Sequence, residues 1–170
     1  PGVEFTEHLC KRAACEGWSV WLLGGEPGIA DKAADVLCSK YPGLTIAGTQ
    51  DGFFKQEDTE SVCKRIQESG AKILFAGLGV PKQEYWLDSN LKSTGAIVGM
   101  GIGGSMDVLS GKLTRAPKIW QKFGMEWLYR LLQEPWRWRR MSKLPVFVLC
   151  LFLTVIHIDR YKNNDAEITK

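Results

Sequence analysis

The stretch from Ala71 to Asp107, AKILFAGLGVPKQEYWLDSNLKSTGAIVGMGIGGSMD, constrains the fold most, because its two short apolar runs each end in a glycine-rich turn that opens a helical pattern. Such runs read as strands buried on both faces, and a parallel pair joined by a helix sets its two turns side by side at one edge of a sheet. In the first turn Gly77 and Gly79 bring bare backbone to the strand's end, and Pro81 suits a first helical position, where its missing N–H would have no intrahelical partner. Lys82, Gln83 and Glu84 follow in the helix's first turn, where solvent is expected to reach them. In the second turn Gly101, Gly103 and Gly104 again remove side chains, ahead of Ser105 and Asp107. Free amides at helix starts favour an anionic ligand, and open α/β sheets bind ligands outside the carboxyl ends of their strands. Either turn alone is ordinary strand-to-helix chemistry; the pair, with Lys-Gln-Glu at the opening, points to a site.

The rest of the chain repeats this alternation. Phe5, Leu9 and Ala13, spaced by four, predict an amphipathic helix over residues 4–16 that Gly17 stops. Trp18 to Leu23 is a short apolar strand, and Gly24 and Gly25 with Glu26-Pro27 make another tight turn into a helix whose face is Ala30, Ala33, Ala34, Leu37 and Tyr41. Leu44 to Ala47 reads as the next strand with Gly48 to Gly52 as its polar exit, Val62, Cys63 and Ile66 mark a helix ending at Gly70, and Lys72 to Ala76 is the third strand. A helix from Pro81 to about Leu91 and a strand from Ala96 to Met100 complete the series. The expected fold is therefore α/β, a Rossmann-like parallel sheet with helices on both faces, followed by a helical C-terminal appendage. A helix with no strand before it opens the chain, which reads as the later part of a larger α/β domain.

With 170 residues, 45% of them hydrophobic, the chain can bury one core but not two full domains. Five scattered cysteines without C-x-x-C spacing suit a reducing cytoplasm, with free and mostly buried thiols. His8 and His157 stand apart from other ligand types, so neither a metal nor a cofactor is expected, and no secretory leader is visible at Pro1-Gly2. Charge is unevenly spread: the net value is −4 before Lys112, +7 over residues 112–143 and 0 beyond, against +3 for the whole chain. This divides the sequence into an α/β domain at 1–111 and a basic, aromatic, helical appendage at 112–170, with short helices at 119–122, 126–132 and 136–143. The apolar run from Leu144 to Ile158 is shorter than the ~20 residues a spanning helix needs, so it reads as interfacial or as packed on its own domain. Interleaved Trp and Arg could serve single-stranded nucleic acid, but here they adjoin that apolar run, which favours a membrane surface and no nucleic acid. Neither GLGVPK nor GIGGSM meets the G-x-G-x-x-G pattern, which leaves an NAD-type oxidoreductase as a weak enzyme rival.

Four segments, GGEPGIADKAADVL, GVPKQE, GIGGSMDVLSGKLTRAPKIW and EWLYRLLQEPWRW, closely resemble in order and spacing the WecG/TagA/CpsF glycosyltransferases, and the resemblance extends through Leu149. The long C-terminal segment is most similar to the Gram-positive enzymes of wall teichoic acid synthesis. The resemblance implies inverting, metal-independent transfer of N-acetylmannosamine from its UDP donor to a polyprenyl-diphosphate-linked N-acetylglucosamine, on the cytoplasmic face of the membrane. It implies that Gln83 contacts the sugar and Asp107 the nucleoside hydroxyls, within a UDP-sugar site formed by Gly24, Gly25, Gly77, Gly79, Pro81, Lys82, Glu84, Gly103 and Gly104. It assigns Arg130, Arg137 and Arg140 to the diphosphate leaving group, whose charge planar, permanently charged guanidiniums can pair. The general-base aspartate and one further arginine of the family are expected upstream of Pro1, leaving Asp51, Glu84 and Asp107 as unproven substitutes and a non-catalytic UDP- or membrane-binding module as the rival. The uronic acid of the same sugar stays open as donor, and a second copy of the chain as a further partner.

Overall fold

In the computed structural model residues 2–135, Trp138 and Thr154 are described, and the chain divides into two compact units, Pro1–Arg115 and Ala116–Lys170. The first unit runs α1 (Gly2–Glu16), β1 (Ser19–Gly24), α2 (Ile29–Lys40), β2 (Thr45–Gln50), α3 (Thr59–Ser69), β3 (Ile73–Gly77), α4 (Lys82–Thr94), β4 (Val98–Gly101) and α5 (Ser105–Leu109). All strand pairs are parallel, in the order β2-β1-β3-β4. The chain thus steps outward from β1 to β2 and then returns across β1 to β3, so the winding reverses between β1 and β3.

Strand pleating explains why β1 and β3 are apolar throughout. Val20, Leu22, Ile73 and Phe75 point to a layer made with Cys10 and Ala13 of α1, Ala33 and Leu37 of α2, and Met106 of α5. Trp21, Leu23 and Leu74 point the other way, onto Val62, Cys63 and Ile66 of α3 and Trp86 of α4. Helices cover both faces, as the alternation required. The helices also stop where the sequence indicates: Gly95 takes a φ of 70°, and its N–H bonds the Lys92 carbonyl.

Three local expectations are corrected. The buried face of α1 is Val3, Thr6, Cys10 and Ala13, whereas Phe5 is 59% exposed. Thr6 can lie inside because its hydroxyl donates to the Gly2 carbonyl at 2.8 Å; of the expected stripe Ala13 is buried and Leu9 packs against the core, and only Phe5 faces out. β2 extends to Gln50, past the point where Gly48 was read as a loop. Gly48 pairs with Trp21 beside a register shift in β1, and a Cβ at 48 would lie 2.2 Å from Trp21 Cζ3, so glycine is the residue that admits the indole. Pro81 precedes α4 rather than opening it, after a cis Val80–Pro81 bond, and the helix runs from Lys82 beyond Leu91 to Thr94.

In the second unit α6 (Lys118–Lys122) and α7 (Glu126–Gln133) flank Gly124. Trp120 and Tyr129 meet edge to face at 5.7 Å, and the Met125 N–H closes the turn onto the Trp120 carbonyl at 2.8 Å. The helix expected at 136–143, the apolar run 144–158, Arg137 and Arg140 lie outside the described residues, Trp138 and Thr154 excepted. No helix among the described residues is long and apolar enough to cross a membrane.

Of the cysteines expected to be mostly buried, the four among the described residues divide evenly: Cys10 and Cys63 are buried, Cys15 and Cys38 are exposed, and Cys150 lies outside the described residues. Burial pushes the Cys10 thiol from 9.0 up to about 12, and raises that of Cys63 as well. Alkylation at pH ~8 should therefore mark Cys15 and Cys38 and spare Cys10 and Cys63 until denaturant is added, as peptide mass mapping would read. Because the folded state holds the Cys10 proton more tightly, its share of stability is lost as pH climbs from 9.0 through about 12. Gly48→Ala should destabilise the chain by about 1–3 kcal/mol, and Trp21→Phe in the same chain should recover part of that loss, read from denaturant midpoints. A neutral Gly48→Ala would show that the indole does not set the path of β2.

Candidate functional site

At the carboxyl edge of the sheet the strand exits are held together by backbone amides. Gly24 and Gly77 end β1 and β3 in register, the Gly25 N–H donates to the Gly77 carbonyl at 3.2 Å, and the Gly52 N–H donates to the Gly25 carbonyl at 2.9 Å. The exits of β2, β1 and β3 are thereby joined at the reversal of winding, the place where open α/β sheets receive ligands. The glycines make this closeness feasible. A Cβ at Gly24 would lie 2.4 Å from the Gly77 carbonyl carbon, one at Gly25 2.8 Å from Ile29 Cγ2, and one at Gly77 3.2 Å from the Gly103 carbonyl oxygen. Packing alone accounts for their bareness, with or without a ligand.

The exits of β3 and β4 are joined by a side chain. Gln83 is 4% exposed, so the expectation that solvent bathes it is overturned. Its Oε1 accepts the Gly103 N–H at 2.9 Å, and its Nε2 donates to Glu84 Oε1 at 2.8 Å. A Cβ at Gly101 would lie 2.6 Å from that Nε2, so the carboxamide rests directly on a bare strand end. The reason it lies inside is its partner: a half-buried backbone N–H needs an acceptor, and Gln83 supplies it from α4.

The remaining residues read from the sequence are placed as follows. Lys82 and Glu84 are exposed on the first turn of α4, after Gly79 and Pro81. The Lys82 ammonium sits 5.6 Å from the centre of the Phe54 ring, and that ring meets Trp86 edge to face at 6.4 Å. Asp51, weighed as a base, accepts the Phe53 N–H at 2.8 Å and so shapes the β2 exit. Gly104 precedes α5, and Asp107 in its first turn is partly buried. The Asp107 carbonyl accepts the Ser110 hydroxyl at 2.9 Å and the Leu113 N–H at 3.1 Å. Arg130 lies on α7 of the second unit. Among the described residues no three His, Cys, Asp or Glu side chains gather as metal ligands would.

Sequence reasoning missed Phe54 under Lys82 and the two ion pairs that hold the segment after α5. Lys112 pairs with Glu26 at 2.8 Å, tying that segment to the β1 exit, and Arg115 pairs with Glu4 of α1 at 2.7 Å. The Arg115 guanidinium holds the exposed Glu4 carboxyl at about 2, well below its ordinary 4.5. Opposite charges far apart in sequence are common, and no spacing marks these pairs.

Truncating the carboxamide leaves the Gly103 N–H without its acceptor, so Gln83→Ala should destabilise the chain by about 1–3 kcal/mol in denaturant unfolding. A midpoint equal to that of the parent would return Gln83 to a solvated rim.

The family model described as Glycosyl transferase WecG/TagA/CpsF family matches residues 1–161. That span contains the joined strand exits, the Gln83 brace, α6 and α7. A match over nearly the whole sequence, on a parallel sheet with its glycine turns gathered at the carboxyl edge, means that the chain belongs to the WecG/TagA/CpsF family of glycosyltransferases.

Proposed function

We propose that this member of a glycosyltransferase family of cell-surface polysaccharide synthesis moves N-acetylmannosamine from UDP to a polyprenyl-diphosphate-linked N-acetylglucosamine, as in wall teichoic acid synthesis. The observation that carries the reading is the buried Gln83 carboxamide bridging the β3 and β4 exits, because it fixes a polar group where a sugar beside a nucleoside diphosphate would lie. In the reaction the acceptor hydroxyl oxygen attacks C1 of the donor sugar, the bond from C1 to the phosphate oxygen breaks, and UDP leaves with the electron pair. The hydroxyl proton passes to a general base, and the configuration at C1 inverts.

Gln83 contacts the sugar and Asp107 the nucleoside hydroxyls, while Gly24, Gly25, Gly77, Gly79, Pro81, Lys82, Glu84, Gly103 and Gly104 form the donor site around them. The charge that gathers on the departing diphosphate is met by Arg130, Arg137 and Arg140 rather than by a metal ion. The acceptor is membrane-borne, and the second unit has the surface chemistry for a peripheral place on the cytoplasmic face. Ile119, Phe123, Trp127 and Leu132 are all more than half exposed, among Lys118 and Lys122.

Replacing Arg130, Arg137 and Arg140 together by glutamine in the full-length enzyme should abolish transfer from UDP-N-acetylmannosamine to a lipid-linked acceptor while leaving much of its liposome binding, because apolar burial persists. Normal transfer by that variant would sink the assignment of the arginines. Calorimetry that finds neither UDP nor the UDP-sugar bound by the parent chain would sink the donor site.

A further inference from the structure

We infer that Glu84 is a positioning residue whose carboxylate fixes the orientation of the Gln83 carboxamide; the inference rests on the donor site proposed above. The two ends of a carboxamide have nearly the same shape and opposite hydrogen-bonding character, so neighbours decide which end faces which way. The Gly103 N–H can only donate, and it takes Oε1 at 2.9 Å. An ionised Glu84 can only accept, and it takes an Nε2 hydrogen at 2.8 Å. The two demands agree: turned over, the amide would set Nε2 against an N–H and Oε1 against a carboxylate. One Nε2 hydrogen and one Oε1 lone pair are left for a ligand, at fixed places above the bare Gly101.

Glu84 is the adjustable half of this arrangement. The Gly103 N–H is backbone and cannot be mutated away, whereas Glu84 is exposed, so its truncation leaves both core layers intact. Without it the carboxamide keeps one anchor and pivots about Oε1, and the group that should meet the sugar no longer has a single direction. A charge-assisted hydrogen bond is the stronger of the two anchors.

The test compares Glu84→Ala, Glu84→Gln and Gln83→Ala with the parent, by NMR of the Gln83 side-chain amide and, in the full-length enzyme, by transfer from UDP-N-acetylmannosamine below the unfolding midpoint of each. In Glu84→Ala the Gln83 amide hydrogens should shift and exchange with solvent about tenfold faster, and kcat should fall about tenfold with KM moving less. Glu84→Gln, whose own carbonyl can accept from Nε2, should keep the parent resonance positions and lose less turnover than Glu84→Ala. The inference is overturned if Glu84→Ala leaves the Gln83 resonances and turnover as in the parent, or if Glu84→Gln is as impaired as Glu84→Ala. Normal turnover by Gln83→Ala overturns the donor site itself, whereas a slow Gln83→Ala beside a normal Glu84→Ala overturns only the role of Glu84.

Discussion

A strand exit cannot lie close to another unless its backbone amides find acceptors there, and this requirement organises the carboxyl edge of the first unit. The Gly25 amide finds the Gly77 carbonyl, the Gly52 amide finds the Gly25 carbonyl, and the Gly103 amide finds the Gln83 side chain. Each bond is worth little net, yet an amide buried there without one would cost more than the bond returns. The exits consequently behave as one piece of structure. A side chain at Gly24 or Gly77 would press on the neighbouring backbone, and one at Gly101 on the Gln83 carboxamide.

That edge is held in place by the two core layers below it. β1 contributes alternate residues to both layers, and β3 does the same, so the strands that carry Gly24 and Gly77 are the most buried in the sheet. Their rigidity is passed to the exits through parallel ladders that run to the last residue of each strand. By contrast β4 is an edge strand whose Val98 is 45% exposed, and its exit is tied down by its ladder to β3 and by Gln83.

The parallel sheet with covered faces was legible because short apolar runs, glycine turns and amphipathic stretches alternate without exception, and each signal is local. The stripe of α2 and the cluster Val62, Cys63 and Ile66 of α3 are buried as the periodicity required. What escaped depended on a partner distant in the chain or on a polar group satisfied internally. Thr6 enters the core because it bonds its own helix, which hydropathy does not register. Gly48 belongs to β2 because of an indole on the neighbouring strand, and Gln83 is buried because an amide twenty residues onward needs it. The two turns could be read as neighbours; that a side chain rather than solvent lies between them could not.

A floor of touching backbones beneath a rim of exposed side chains also decides where a lineage built on this architecture can change. A Cβ at Gly24 would run into the Gly77 backbone at 2.4 Å and one at Gly48 into the Trp21 indole at 2.2 Å, so change at these positions requires a neighbour to move. Lys82, Glu84 and Phe53 are exposed and belong to neither core layer. Change at this edge of the sheet is therefore easier at the rim than in the floor beneath it.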